Sequence, residues 1–508
     1  MSESSYRTIL RSSSIIGGAQ VINVAVSLVK MKAVAVLLGP AGMGLVGLYL
    51  NLVQTASTVS ALGFGNVGTR QIATAQAQGG DVAVGRTRRA LFWGTIGLAL
   101  VGAAIFWALS GWIARVILDE PSRASEVAWL SLAVALTVAA GSQGALLTGL
   151  RRAGDLARIN VLSGLAGAAL GVAALLLWGH GGLLALVLVA PAATFLLGHF
   201  YVSRLRPPAG PPARLTELIG EWGIMARLGM AFMVSGLITV IGFLAARTLV
   251  QRELGAGALG QFQAAWTIGM TYLGFVLGAM GTDYYPRLTA AIQDRAAAVR
   301  LVNEQTEVAL LLCAPVLVAM LGCAPYVIRL LYSAEFGPAA DILRWQLLGD
   351  LLKVMSWPLG FILLAAGAGK TFLLAEALAV FVFFSVVWIA LPLIGIAATG
   401  VAFLALYAAY LPVVWLLARR HIGFAWTRTV KVQAAIAAAA ALAVEIMARQ
   451  SVVGGAALGL LLGAALGIGA IMQLSKQVGA GGRLGKLATS ADRAKRWITA
   501  RFSRVEGK

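Results

Sequence analysis

Residues Ser14 to Leu38 read SIIGGAQVINVAVSLVKMKAVAVLL. The run is apolar and longer than the ~20 residues a helix needs to cross a hydrocarbon core, so it reads as a membrane-spanning helix. Its second half nevertheless carries Lys30 and Lys32. A cation near the bilayer centre costs ~2.5 to 3.5 kcal/mol on insertion scales, so it faces a bundle interior or a water-filled cavity unless it can snorkel to an interface. Lys30 lies about 12 Å from the Leu38 end at 1.5 Å per residue, further in than Lys32, so snorkelling suits Lys32 better.

The pattern returns downstream. LVKMKAVAVLLGPAGMGLVG (Leu28 to Gly47) lines up with FLAARTLVQRELGAGALGQFQ (Phe243 to Gln263), setting Leu38-Gly39 on Leu254-Gly255, Gly44 on Gly260 and the Lys30/Lys32 region on Arg247. Each copy opens a group of hydrophobic segments and places cations before a Gly-rich turn. Two related halves around a central polar cavity are a recurring architecture of secondary transporters.

A chain of 508 residues with 59% hydrophobic and 12% charged residues and a mean hydropathy of +0.86 cannot be a soluble globular protein; it is expected to be all-α and polytopic. The excess of 40 Lys and Arg over 20 Asp and Glu points, in a membrane protein, to anionic headgroups or an anionic substrate. Basic and aromatic residues do not interleave outside the apolar runs, which argues against nucleic acid. Cys313 and Cys323 fall in one expected helix about 15 Å apart, too far for a disulfide. The polar start MSESSYRTILRSSS leads into a full-length span, which would act as an uncleaved anchor.

Fourteen spans are expected, at about 14 to 38, 43 to 65, 90 to 114, 127 to 149, 159 to 178, 181 to 203, 223 to 250, 260 to 285, 304 to 332, 343 to 366, 370 to 392, 394 to 418, 431 to 448 and 453 to 474. Most basic residues sort to one side, among them Arg70, Arg86, Arg88, Arg89, Arg151, Arg152, Arg204, Arg287, Arg295, Arg419, Arg420 and the tail, so that side and both termini are expected to be cytoplasmic. The segment Arg204 to Trp222, with Pro207, Pro208, Pro211 and Pro212, reads as a semi-rigid linker between two lobes. The expected organisation is therefore an N-lobe over 1–206, a linker over 207–222, a C-lobe over 223–418 in parallel orientation, an extra helix pair over 419–474 and a basic tail over 475–508. In the extra pair, Gly459, Gly463 and Gly467 recur every four residues, a helix-contact face. The tail suits an interfacial helix on anionic lipid or a solvated segment.

No enzyme motif emerges. Gly367-Ala368-Gly369-Lys370-Thr371 resembles a phosphate loop, but Leu364 occupies the position of its first glycine and no strand precedes it. His180, His199 and His421 lack metal-ligand spacing, and the outer loops are too short to carry a polymerase site. Neither a catalytic residue, a metal nor a cofactor is expected. The candidate chemistry lies in intramembrane ionisable groups. Asp350 and Lys353 share a helix face and can pair; Glu376 sits one to two turns into the next span; Asp283 lies near the inner end of the eighth.

Four segments carry a family resemblance: SSSIIGGAQVINVAVSLVKMKAVAVLLGPAGMGLVGLY (Ser12 to Tyr49), STVSALGFGNVGTRQIA (Ser57 to Ala73), QFQAAWTIGMTYLGFVLGAMGTDYYPRLTA (Gln261 to Ala290) and LLGDLLKVMSWPLGFILLAAG (Leu347 to Gly367). They resemble the Wzx-type O-antigen translocases of the multidrug/oligosaccharidyl-lipid/polysaccharide (MOP) exporter superfamily, over the first ~420 residues and most specifically at GTDYYPRL. The resemblance implies a bacterial inner-membrane flippase that carries undecaprenyl-pyrophosphate-linked oligosaccharide to the periplasmic leaflet by alternating access, coupled to a proton gradient. It also implies work alongside other polysaccharide assembly proteins. Such families have twelve core helices, so the extra pair is a departure. Lys30, Lys32 and Arg247, with Arg70, Asp283 and Arg287, are then the candidate substrate-binding residues; Asp350, Lys353 and Glu376 are candidates for coupling or gating. A lipid II flippase and a multidrug cation antiporter are the alternatives, the second requiring acidic groups and aromatic cages in the cavity.

Overall fold

The computed structural model describes residues 3–78, 80–205 and 215–478. Among them every regular element is helical: α1 (Glu3–Ser60), α2 (Phe64–Gln78), α3 (Gly80–Ala108), α4 (Ser110–Val116), α5 (Ala124–Gly149), α6 (Ala153–Trp178), α7 (Leu183–Ser203), α8 (Leu215–Ala291), α9 (Arg295–Leu331), α10 (Ala339–Ala365), α11 (Gly369–Ile394), α12 (Ala397–Ile422), α13 (Arg428–Gln450) and α14 (Val452–Val478). Eleven helical stretches are long and apolar enough to cross a membrane, and three of them, Gly18–Ser60, Ala153–Ser203 and Gly236–Gly281, run to 43, 51 and 46 residues. Each of these three holds two crossing lengths. Each is divided at a glycine of positive φ, Gly39, Gly179 or Gly255, a conformation that side chains with a Cβ resist. The expected fourteen crossings are thereby accounted for.

The repeat read from sequence has a backbone counterpart. Gly39 (φ 64, ψ −168) breaks α1 in the conformation with which Gly255 (φ 79, ψ 176) breaks α8. Beyond the breaks, a Cβ added at Gly44 would run into the Ala256 carbonyl oxygen, and one at Gly260 into the Pro40 carbonyl oxygen. Pro40 and Ala256 each follow their breaking glycine directly, so each hairpin presents its glycine to the other's matching carbonyl. Such reciprocity is the mark of a two-fold-related contact. Helix α8 also meets the turn that follows α1, where a Cβ on Gly63 (φ 70) would strike the Gly229 carbonyl and one on Gly229 the Leu62 carbonyl.

The chain divides into two compact units. The first holds residues 1–264, 331–336 and 387–396, the second 265–330, 337–386 and 397–508. In the first unit α3 packs on α5, α6 on α7 and on α1. Phe64, Val67, Ala90, Leu91 and Ala145 form a core that takes in Leu218 and Met225 from the start of α8. Trp222 Nε1 donates to the Ala90 carbonyl at 2.8 Å, and Arg86 pairs with Glu221 at 2.9 Å. Residues 215–222, within the expected linker, are thus helical and held on α3. The proline-rich stretch Pro207 to Pro212 lies outside the described residues, as does the tail beyond Val478.

In the second unit α10 packs on α12, where a Cβ at Gly349 would reach to 2.8 Å from the Phe403 ring. Asp294 opens α9 by accepting from the amides of Ala296 and Ala297 at 3.0 and 3.1 Å. Pro315 and Pro325 sit inside α9 without ending it, as prolines do within helices that have neighbours in a bilayer. On the extra pair, Gly455, Gly459 and Gly463 of α14 lie against α9 at Gly322 and Ala319, so most of the four-residue glycine spacing does mark a packing face. Gly467 makes only ordinary contact with Pro315. Cys313 is buried, Cys323 is half-buried, and both are free thiols.

Candidate functional site: intramembrane charges of each unit

The cations of the first unit sit on the two helices that carry the matched breaks. Lys30 and Lys32 are half-buried on α1, and Arg247 on α8 is only 4% exposed. Arg247 precedes Gly255 by the same interval that separates Met31 from Gly39, so it falls between the two lysines of the other copy. Its guanidinium lies 5.5 Å from the centre of the Phe262 ring, whose face favours a cation. Three positive charges can neutralise a diphosphate in a medium where charge pairing is stronger than in water. Arg70 is exposed on α2, in the same unit but away from this buried setting.

In the second unit the ionisable groups cluster about α10. Asp350 is fully buried, and neither carboxylate oxygen has a hydrogen-bond partner among the described residues. One turn before it, Gln346 is 1% exposed with both amide atoms likewise unpartnered. Both approach Gly269 of α8, where an added Cβ would stand 3.5 Å from Asp350 Oδ2 and 3.7 Å from Gln346 Oε1. The expected Asp350–Lys353 ion pair is not formed. Lys353 Nζ instead lies 3.5 Å from the sulfur of Met270, the neighbour of Gly269, and 5.8 and 5.7 Å from the ring centres of Phe403 and Tyr407. Spacing by three puts two residues on one face, but the aromatic faces of α12 compete for the ammonium. Glu376 accepts a 2.6 Å hydrogen bond from the Tyr410 hydroxyl. Asp283 and Arg287 pair with each other at 3.0 Å on an exposed face, their side chains 73% and 57% exposed. The adjoining Tyr284 is, like Leu288, a fully buried member of GTDYYPRL, donating to the Pro358 carbonyl at 3.0 Å and lying beside Trp357 and Phe361.

Residues 9–291, more than half of the chain, match the polysaccharide biosynthesis protein family. The chain belongs to that family. Within curated proteins, the lipid III flippase of Escherichia coli (strain K12) is 24% identical over 368 residues, covering 70% of this chain and 85% of that protein. The fold is similar to that of two solved membrane proteins. The lipid II flippase MurJ in an inward closed conformation matches with a TM-score of 0.69 over 92% of this chain and 99% of that one, at 10% identity. An inward-facing multidrug resistance MATE family transporter of the MOP superfamily matches with a TM-score of 0.64 over 81% and 98%, at 16% identity. This polysaccharide biosynthesis family member is accordingly a multi-pass membrane protein.

Several polar groups of this family member escape a reading of sequence alone. Buried Tyr49 of α1 donates to Glu126 of α5 at 2.6 Å, and Glu126 in turn pairs with Arg123 at 3.2 Å. In the second unit Gln433 donates to Gln473 (3.1 Å), which donates to Glu307 (2.6 Å), tying α13, α14 and α9 together by polar groups. Arg449 pairs with buried Glu445 at 2.8 Å and stands over the Trp345 ring. For Tyr49–Glu126, Gln433–Gln473 and Gln473–Glu307, separations of 77, 40 and 166 residues carry no local signal. Glu445 and Arg449, like Gln346 and Asp350, are spaced four apart in one helix, a spacing that is legible in the sequence.

Proposed function

We propose that the protein is a flippase for undecaprenyl-pyrophosphate-linked oligosaccharide in a bacterial inner membrane, carrying the polar headgroup from the cytoplasmic to the periplasmic leaflet by alternating access. The observation that carries this reading is the placement of Lys30, Lys32 and Arg247 ahead of matched helix breaks in a two-fold-related helix pair. A pyrophosphate dragged through a low-dielectric region needs such counter-charges, while the isoprenoid tail remains in lipid. An organic cation would need acidic groups where these three cations stand. Arg70 of the first unit and, separately, the Asp283–Arg287 pair of the second are further headgroup contacts. Coupling falls to Asp350 and Glu376, with Lys353 as the cation that senses their charge state. The Arg-rich side, both termini included, is cytoplasmic.

A lipid II flippase is the second reading, favoured by the cover of 92% of the chain by the MurJ fold. Both readings use the same pyrophosphate chemistry and differ in the sugar. The deciding experiment is export of surface polysaccharide in cells whose only copy is Lys30→Ala, Lys32→Ala, Arg247→Ala. Loss of export with normal accumulation in the membrane is expected; normal export overturns the pyrophosphate site. Rescue of a lipid II transport deficit, without restoring polysaccharide export, would select the second reading.

A further inference from the structure

We propose that the first unit carries a lateral binding site for an anionic glycerophospholipid with a hydroxyl-bearing headgroup, of the phosphatidylglycerol type, between α3, α5 and α7. The site is a cavity of about 330 Å³ in which Arg88, Arg89 and His199 meet an apolar wall that includes Phe92 and Trp93. The volume suits a small polar headgroup. Phe92 and Trp93 are 42% and 57% exposed on the outer face of α3, the position that aromatic side chains take at the headgroup level of a bilayer. Arg88 is fixed across the mouth by donating to the Val202 carbonyl of α7 at 3.3 Å. Two adjacent guanidiniums at that level attract a lipid phosphate.

The floor adds an independent requirement. Gln143 of α5 is 6% exposed, and its amide oxygen has no hydrogen-bond partner among the described residues. It is accommodated because residue 198 on α7 is glycine, where a Cβ would collide with that oxygen. Beside it, the hydroxyls of Ser142 and Ser203 donate to the carbonyls of Ala139 and Phe200 at 2.8 and 2.9 Å, which leaves their oxygens as acceptors. The cavity therefore offers cationic donors at its mouth and acceptors within. A phosphate alone answers only the first; a phosphate carrying glycerol hydroxyls answers both.

The test uses the full-length protein purified in detergent, incubated with equal amounts of phosphatidylglycerol, phosphatidic acid and phosphatidylcholine, with retained lipid measured by mass spectrometry. Wild type is expected to retain phosphatidylglycerol over phosphatidylcholine, and millimolar inorganic phosphate should not displace it. Arg88→Gln with Arg89→Gln should lower that preference about fivefold per charge removed, in line with the membrane attraction of one basic residue. Gln143→Leu should remove the advantage of phosphatidylglycerol over phosphatidic acid while leaving both above phosphatidylcholine. If Gln143→Leu does not accumulate, Gln143→Glu places a carboxylate beside the phosphate and should expel both anionic lipids. An unchanged lipid ratio in the double arginine variant, displacement by inorganic phosphate, or an unchanged phosphatidylglycerol advantage in the Gln143 variant overturns the proposal.

Discussion

A carboxylate that has left water without gaining a donor is among the most expensive things a fold can contain, and among the described residues Asp350 is one, with Gln346, likewise unpartnered there, a turn away. Groups of this kind persist where their surroundings change during function, because a carboxyl that meets alternating environments binds and releases a proton as it does so. Replacing Asp350 by Asn, and separately Glu376 by Gln, should cut the stimulation of transport by an imposed pH gradient in vesicles about a hundredfold or more, the lower end of the usual scale for loss of one proton-transfer group. Insertion and substrate binding should persist. A full response to the gradient in both variants would remove these carboxylates from coupling. Tyr410→Phe separates positioning from proton carriage: it deletes the 2.6 Å bond to Glu376 and should slow transport while leaving its pH-gradient dependence in place.

At the scale of elements, the glycines of the matched hairpins are where backbone meets backbone. Gly260 faces the Pro40 carbonyl and Gly44 the Ala256 carbonyl, and neither neighbour is a flexible side chain that could move aside. Gly44→Ala or Gly260→Ala should therefore destabilise by about 1 to 3 kcal/mol, the range for overpacking a fitted contact, read as a lower unfolding midpoint in detergent. The docking of α14 allows a comparison within one helix. A Cβ at Gly459 would lie 3.0 Å from the Gly322 Cα, whereas Gly469 has nothing within 4 Å. Gly459→Val should lower the unfolding midpoint and Gly469→Val should leave it unchanged. Equal behaviour of the two would mean that α14 is not held on α9 by this face.

For the whole molecule, topology is the property on which the functional reading rests. With Cys313 and Cys323 replaced, single cysteines at Ser122 and Gly181 should react with an impermeant thiol reagent in intact spheroplasts, and cysteines at Arg152 and Ala368 should react only after lysis. The reason is the sorting of arginines to the side of Arg152, together with an even number of crossings in each expected lobe. Labelling of Arg152→Cys from outside would reverse the proposed direction of transport. The first compact unit extends through Ala264 and gathers the short segments 331–336 and 387–396, so the boundary between compact units falls within α8 and not at the proline-rich stretch. Gln261 contributes by donating to the Glu335 carbonyl at 2.8 Å, and Tyr332 by donating to the Ala264 carbonyl at 3.1 Å.

The burial of Arg247 came from the structure, whereas the sequence by itself determined the all-helical membrane architecture, the number of crossings, the paired Gly39 and Gly255 positions and the intramembrane place of Asp350. Those features are written in run length, in residues that only tolerate one backbone state, and in the cost of placing an ion among apolar neighbours. The tertiary structure alone decided which way a charged side chain turns and whom it meets. Asp350 and Lys353 share a face of α10, yet Phe403 and Tyr407, half a hundred residues on, draw the lysine away. Likewise Glu376 meets Tyr410, and Glu126 meets Tyr49, across helices that are distant in the chain. Helix periodicity fixes a residue's angle about its own axis, but the partner at that angle is chosen by the packing of other helices, which no local pattern records.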